Sequence, residues 1–402
     1  MPWFIRMLLY LSPLILLVQL YVGWRFQHAY LQFFSHYPRI VRAVTFGLIG
    51  YLNIFPILVF SAALLGRINN LFLFQNHLQW QDYLFLFPYW WGLVVAVAIL
   101  PYILLLDLSE ILFSLKFIPT IRFVDKLFYF LKIFLVFFFM IYAGFRLYYD
   151  TYVVRISSYQ LKFPELPEKF NGMQISLVAD IQIDRYTGER KTDHLKEKMK
   201  SIQSDVLLFS GDLVTSGEYF IREGLDVICS LNATNEKIAC LGDHDFWANP
   251  DSIRQGIENC GWKFLQNEHH LLPWKGDSVL ITGISHIYSR RITPEKIDKI
   301  LSSAPGAGFK ILLVHQPAEF IIRTAAKYGY HLVCAGHTHG GQLKFRPFGK
   351  VFTLSMFETP YFGGLYELER TKVLVTNGIG LTFAPIRYQA PAEIATITIQ
   401  SR

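Results

Sequence analysis

Charge is scarce in this 402-residue chain: Asp, Glu, Lys and Arg make up 17% of it, against roughly a quarter in an ordinary soluble protein. A chain so apolar is neither disordered nor fibrous, and its deficit of charge points to segments that never meet water. The deficit is uneven. Residues 1–150 hold ten Lys and Arg and five Asp and Glu, whereas residues 151–402 hold 28 and 26. Cysteine is scarcer still. The four thiols, Cys229, Cys240, Cys260 and Cys334, form no CxxC pair and no metal-ligand spacing, which argues against a structural thiolate zinc site. Cys240 and Cys334 stand in apolar strand-like runs, where a thiol behaves as a small hydrophobe. A Cys229–Cys260 disulfide is possible, but nothing in the spacing requires it. No basic run is interleaved with aromatics, so the net charge of +7 lends no support to nucleic acid binding.

What the sequence does have is apolar length. Four runs, at 7–24, 44–65, 84–106 and 128–147, approach the roughly 20 residues that a helix needs to cross a bilayer core about 30 Å thick. Trp24 with Arg25, and Tyr89-Trp90-Trp91, suit the membrane interface. A cleaved signal peptide does not fit the first run, since no small-residue cleavage site follows it. Between the third and fourth runs Leu108, Ile111, Leu112, Leu115 and Ile118 recur at helical spacing, with Glu110 and Lys116 on other faces; this predicts a short helix lying on the bilayer surface. Lys132, inside the last run, has to snorkel, pair within the bundle or serve an ion path. Four spans put both termini on one side. The opposite loops carry Arg25, Arg39, Arg42, Lys116, Arg122 and Lys126, against Arg6, Arg67, Arg146 and Arg155, so the positive-inside rule places the soluble part outside the cytoplasm.

From residue 160 short apolar runs alternate with amphipathic helices at 194–203 and 318–328. Strands are predicted at 175–179, 206–209, 238–241, 279–282, 311–314 and 332–335. The alternation predicts an α/β layered domain over 151–402 with a largely parallel sheet, preceded by a transmembrane helical domain over 1–150. Five of these strands run into polar residues: Asp180-Ile181-Gln182, Gly211-Asp212, Gly242-Asp243-His244-Asp245, His315, and Gly336-His337-Thr338-His339-Gly340-Gly341. Carboxyl ends of neighbouring strands converge on one crevice in layered α/β folds, so these side chains can meet. Carboxylate oxygen with imidazole nitrogen suits Mn²⁺, Fe²⁺ or Zn²⁺, and the ligands are too numerous for one tetrahedral ion. Two ions need a shared carboxylate, and Asp212, behind a glycine that permits a tight turn, is the natural bridge. His337 and His339, two apart in extended backbone, would project to one side and bind different ions.

Together these segments resemble the calcineurin-like metallophosphoesterase superfamily, whose ordered signature is DxH, GDxx, GN(H/D), a lone His and GHxH, and within it a membrane-anchored bacterial branch. Leu166-Pro167-Glu168-Lys169-Phe170 resembles the opening of that branch's catalytic domain. Gly364-Leu365-Tyr366, Asn377-Gly378-Ile379-Gly380 and Pro385-Ile386-Arg387 resemble its close. The resemblance implies a four-layer αββα sandwich and a multi-pass protein of the cell (inner) membrane. It puts Asp180 and His339 on a first metal, Asp212 between two metals, and His315, His337 and Asp243 on the second, with His244 touching the scissile phosphate as catalytic acid. Gln182 and Asp243 depart from the family's His and Asn. The neutral amide oxygen of Gln182 favours a harder ion such as Mn²⁺ over iron or zinc. Asp184 is close enough in sequence to add a carboxylate.

The implied activity is phosphodiester or pyrophosphate hydrolysis. A hydrolase held at a bilayer meets lipid head groups at high effective concentration, so a phosphorylated lipid or lipid-nucleotide such as UDP-2,3-diacylglucosamine is the expected substrate. The nucleotide version requires a cytoplasmic domain, in conflict with the charge-derived topology. Phe345, Phe348, Phe352, Phe357, Tyr361 and Phe362 are expected to be core, with an acyl-binding surface as the alternative. A noncatalytic receptor that keeps the fold is the other reading of the whole chain, and the single intramembrane Lys without internal repeats argues against a transporter.

Overall fold

The computed structural model describes residues 3–34, 36–115, 122–285 and 292–401. The chain divides into two compact units, Met1–Tyr148 with Phe345–Phe352, and Tyr149–Lys344 with Thr353–Arg402.

The first unit is helical: α1 (Trp3–Phe33), α2 (Pro38–Leu52), α3 (Ile54–Leu64), α4 (Phe87–Leu115) and α5 (Arg122–Tyr152). Among the described residues three helices are long and apolar enough to cross a membrane, and α2 with α3 makes a fourth span if the pair counts as one. The expected second span is thus broken, bending by 49° between α2 and α3. Asn53 at the break donates its side-chain amide to the Ile49 carbonyl at 2.8 Å, competing with the helical ladder. Pro56, which has no N–H, then leaves the Leu52 carbonyl without its helical donor. The predicted surface helix is not separate. Leu108, Ile111, Leu112 and Leu115 continue α4, since no Gly or Pro falls between Leu108 and Leu115; Lys116 and Ile118 lie outside the described residues.

Lys132 pairs within the bundle. Its ammonium lies 2.7 Å from both the Asp107 and the Glu110 carboxylates of α4, and its side chain is 1% exposed. Arg25 of α1 reaches the same two acids, at 2.9 Å from Glu110, and the Tyr21 hydroxyl also donates to Asp107. Arg25 is therefore turned into the bundle, although its neighbour Trp24 stays exposed. Two acids and two bases on three helices cancel, as charges withdrawn from water must.

The second unit has two six-stranded sheets. The first contains β1 (Arg155–Lys162), β2 (Gln174–Val178), β3 (Val206–Phe209), β4 (Glu236–Ala239), β5 (Lys263–Phe264) and β12 (Glu393–Gln400) in the order β1-β12-β2-β3-β4-β5. The second contains β6 (Glu268–Trp274), β7 (Asp277–Ile284), β8 (Phe309–Val314), β9 (Leu332–Ala335), β10 (Gly364–Leu368) and β11 (Thr371–Val375) in the order β10-β11-β9-β8-β7-β6. Pairing is parallel along β2-β3-β4-β5 and along β7-β8-β9-β11. Alternation assigns each strand two faces. Ile175 and Leu177 of β2 join Val206, Ile238, Ile311, Cys334 and Ile397 in a core between the sheets. Val178, Leu207 and Phe209 face outward onto α6 (Glu189–Lys200), α7 (Ile221–Cys229) and α8 (Pro250–Asn259). Leu280, Leu312 and Val333 pack on α9 (Pro294–Ser302) and α10 (Glu319–Lys327). The layering is the αββα sandwich that the sequence led us to expect. Cys229, ending α7, is disulfide-bonded to Cys260, which caps α8.

Lys132→Met removes one of two cations facing two acids. Apparent stability of the detergent-solubilised protein should fall by about 3 kcal/mol. Adding Glu110→Gln should recover part of it, as read by thermal unfolding of the single and double variants.

Candidate metal centre

Every strand named for a polar terminus delivers it to one place, where three strands of the first sheet meet two of the second. Asp180 and Gln182 follow β2, Asp212 follows β3, Asp243 and His244 follow β4, His315 follows β8, and His337 and His339 follow β9. The loops continue the strand ladders before turning: the Asp180 N–H donates to the Gly211 carbonyl at 2.9 Å and the Gln182 N–H to the Asp212 carbonyl at 3.0 Å. The His337 N–H donates to the Asp180 carboxylate at 3.0 Å, which joins the loops of the two sheets.

Two overlapping groups result. Asp180, Asp212 and His315 bring ligand atoms within 4.8 Å of one another, as do Asp243, His315 and His337. His315 Nε2 is shared, 3.1 Å from Asp212 Oδ2 and 3.0 Å from Asp243 Oδ1. His337 Nδ1 lies 3.0 Å from the same Asp243 oxygen and 3.3 Å from His315 Nε2. His339 Nε2 faces Asp180 at 3.6 Å, and Gln182 Nε2 donates to Asp212 Oδ2 at 3.0 Å. His337 and His339 do serve opposite ends of the cluster, but not through extended backbone. Both have left-handed φ, 70° and 51°, so a turn aims the two rings separately. Asp180, Gln182 and Asp212 are left-handed too, at φ 50°, 42° and 61°. Each such residue costs about 1–3 kcal/mol, and strain of this kind gathers where surrounding structure holds functional groups. At Gly378, φ is 65° and an added Cβ would sit 2.6 Å from the Asp180 Cβ, so only glycine lets that loop close on the carboxylate.

Among the residues beneath, sequence reasoning met Asp245 and Arg387 without giving either a role, and missed Glu358. Asp245 accepts the N–H groups of Asp212, Leu213 and Gly242 at 2.9, 2.8 and 2.9 Å, holding two ligand loops with one carboxylate. Arg387 is fully buried; it donates to the carbonyls of His339, Gly380, Asn377 and Ala390, and its Nη2 lies 3.1 Å from His339 Nδ1. Glu358 accepts from His337 Nε2 at 2.8 Å, leaving Nδ1 toward the cluster, and the Ser210 carbonyl fixes His315 Nδ1 at 2.7 Å. Asp245 stands one residue beyond a motif, which was a usable signal. Glu358 lies 17 residues beyond the Gly341 that ends the metal motif, and nothing local marks it as a partner of His337. Asp184 adds no ligand: its carboxylate accepts from Tyr186 N, Thr187 N and Thr215 Oγ1, closing its own turn.

Electrostatics follow from burial against mutual charge. Burial raises Asp180 to about 6, with neighbouring Asp212 adding and His315 and His337 opposing. Burial would likewise raise Asp243, but His337 and His315 hold it far below the usual carboxylate range. Burial disfavours the charged form of His337, yet Asp243 and Glu358 raise it to about 10; His315 is raised well above its ordinary value against burial by Asp212 and Asp243. His339 is instead driven well below, by burial and by Arg387, and stays neutral. Burial also brings Asp245 to about 7, although three N–H groups oppose the shift.

The donor set fits divalent cations. Asp180, Asp212 and Asp243 gather around His315 and His337, whose imidazoles are pushed toward protonation, and Gln182 Oε1 is a buried carbonyl oxygen with no hydrogen-bond partner. Cations would replace those protons and give the orphaned oxygen a partner.

Residues 173–341 match the family model described as calcineurin-like phosphoesterase. The chain carries a calcineurin-like metallophosphoesterase domain. Among its relatives is a transmembrane protein with metallophosphoesterase domain from Danio rerio, 26% identical over 255 residues, a match covering 61% of this chain and 57% of that one. The uncharacterized metallophosphoesterase YkuE of Bacillus subtilis is 23% identical over 261 residues, covering 64% and 90%. An uncharacterized metallophosphoesterase of Aquifex aeolicus is 26% identical over 259 residues, covering 63% and 94%. The chain thus spans nearly all of the bacterial relatives and little more than half of the fish protein. Metal-dependent phosphoester hydrolysis is the chemistry that this family implies.

Because His337 and His315 hold protons that a metal must displace, loading the metal-free protein at neutral pH should release about one to two protons. Titration calorimetry in buffers of different ionisation enthalpy reads that number. Affinity should also fall as pH drops below about 6, where Asp180 takes up a proton.

Proposed function

We propose that this protein is a membrane-bound, two-metal phosphoesterase acting on a phosphodiester or pyrophosphate bond of a lipid-linked substrate. One observation carries the reading: a buried, strained Asp/His cluster closes over both sheets in a chain that also holds membrane-length apolar helices. Asp180, Gln182 and His339 would hold one ion, Asp243, His315 and His337 the other, with Asp212 between them. When bound, the ions supply positive charge to the phosphoryl oxygens and make water nucleophilic at neutral pH. The amide oxygen of Gln182 makes Mn²⁺ or a similarly hard ion the better occupant of the first position, with iron and zinc behind it.

The chain's own contribution is orientation and a proton. Asp245 and Arg387 hold the ligand loops rigid. His244 donates Nδ1–H to the Thr215 carbonyl at 2.6 Å, packs against Trp247 with the rings tilted by 56° and centroids 4.4 Å apart, and keeps its main-chain N–H on Asp212 Oδ1 at 2.9 Å. That pairing occupies Nδ1 and leaves Nε2, 3.4 Å from the Thr382 hydroxyl, as the nitrogen that, once it has taken up a proton to give the imidazolium, can pass it to the departing alkoxide.

The Cys229–Cys260 disulfide supports a catalytic domain outside the cytoplasm, where such bonds persist; the loop charges add little once Arg25 is counted inside the bundle. On that side a nucleotide-linked substrate such as UDP-2,3-diacylglucosamine is disfavoured relative to a lipid phosphoester without a nucleotide. A reporter fused to the C-terminus tests the sidedness: activity in the cytoplasm would reverse this preference.

Hydrolysis of bis-p-nitrophenyl phosphate with Mn²⁺ is the direct assay, and a metal-loaded protein that leaves it intact would be a scaffold instead. Asp212→Ala and His337→Ala should abolish turnover together with bound metal. His244→Ala should keep its metal and lose about 10²–10⁴ in kcat; an unchanged kcat removes His244 from the mechanism.

A further inference from the structure

The aromatics that follow the metal loop do not share one fate. Phe345 and Tyr361 are core, whereas Phe348, Phe352 and Phe357 are 59%, 44% and 77% exposed. The exposed ones lie on a defined element. Phe345 and Phe352 exchange both main-chain hydrogen bonds at 2.8 Å and close a hairpin whose tip is Arg346-Pro347-Phe348-Gly349-Lys350-Val351. Phe348 and Gly349 turn it with φ 51° and 82°. A short helical turn, Leu354–Phe357, follows directly, with Leu354, Met356 and Phe357 exposed. Thus six large apolar side chains face outward within ten residues. Between His339 and Glu358 the only charges are the basic Lys344, Arg346 and Lys350. A run of exposed apolar side chains along the chain is what water-facing segments avoid, and basic residues beside apolar ones characterise segments that enter a lipid surface. The segment Phe345–Phe352 also groups with the apolar helices as part of the first unit, the Phe348 ring lying 5.0 Å from that of Tyr102 in α4.

We propose that this hairpin and the turn after it insert into the bilayer that holds the helices. Phe348, Val351, Leu354 and Phe357 enter the acyl region, and Arg346 and Lys350 meet anionic head groups, each worth about 1 kcal/mol at such a surface. The element is tied to the metal loop: Thr353 Oγ1 donates to the Gly341 carbonyl at 2.8 Å, Ser355 Oγ to the Thr338 carbonyl at 3.4 Å, and Glu358 holds His337 at 2.8 Å. The lipid surface is therefore joined to a ligand loop through a few residues of continuous chain. The inference needs the chain to be in a membrane but does not need it to hydrolyse lipid, so it stands or falls apart from the proposed activity.

The test uses the full-length protein in nanodiscs of phosphatidylcholine and phosphatidylglycerol, with Phe348→Cys carrying a polarity-sensitive fluorophore. Native thiols do not compete, because Cys240 and Cys334 are buried and the other two are bonded. Insertion predicts blue-shifted emission, quenching of about twofold or more by spin-labelled acyl chains, and protection from aqueous iodide. Glu367→Cys, at a site with 63% side-chain exposure, supplies the iodide-accessible reference. Emission and iodide quenching equal to that reference would overturn the proposal. Val351→Cys reads the same tip should the first variant fail to fold. Replacing phosphatidylglycerol by phosphatidylcholine should weaken acyl quenching, and Arg346→Ala with Lys350→Ala should abolish that dependence; a lipid response that survives both changes would remove the basic residues from the account.

Discussion

Asp180 and Asp212 are buried with ligand atoms within 4.8 Å of each other and of His315, and Asp243 meets the same imidazole at 3.0 Å; that gathering of like charge constrains the rest of the candidate site. It can be tolerated only against positive charge. In the protein alone that charge comes from imidazoles, which is why His315 and His337 are pushed toward their protonated forms while His339, facing Arg387 as well, is pushed away from its own. A pair of divalent cations meets the same requirement with shorter, stronger contacts.

Holding the crowd together has a conformational cost, and the fold meets it with a second set of residues. Five of the ligand candidates have left-handed backbones, a state that extended or helical chain does not supply. The compensation is local and polar: one Asp245 carboxylate for three N–H groups, one Arg387 guanidinium for four carbonyls. Both groups are buried, so each bond is made without competition from water. The same principle governs the helical unit, where Lys132 and Arg25 meet Asp107 and Glu110 in apolar surroundings. In both units charge is admitted to the interior only as a balanced set.

A second theme is continuity along the chain. The stretch from His337 to Glu358 begins at a candidate ligand, passes through an exposed apolar hairpin, and returns to a carboxylate that accepts from that same imidazole. Glu358, at the end of that stretch, sets which nitrogen of His337 faces the cluster.

Much was legible beforehand. Strand positions followed from apolar runs such as Val206–Phe209, because a strand buried on both faces must be apolar throughout. The site residues were legible because a layered sheet delivers its strand ends to one crevice whatever their separation in sequence. Local pattern misled where a competing interaction decided the outcome: the second apolar run breaks because Asn53 and Pro56 disrupt its ladder, and Arg25 turns inward because two acids of another helix await it. Composition and spacing by themselves determined that the chain has membrane-length apolar segments, an α/β unit and a metal-type set of Asp and His, since these depend on residue type and short-range period. Only the tertiary structure decided which nitrogen each imidazole presents, that Glu358, Asp245 and Arg387 stand behind the ligands, that Cys229 meets Cys260, and which aromatics stay exposed. Those outcomes depend on distances between residues far apart in the chain, and no local pattern encodes them.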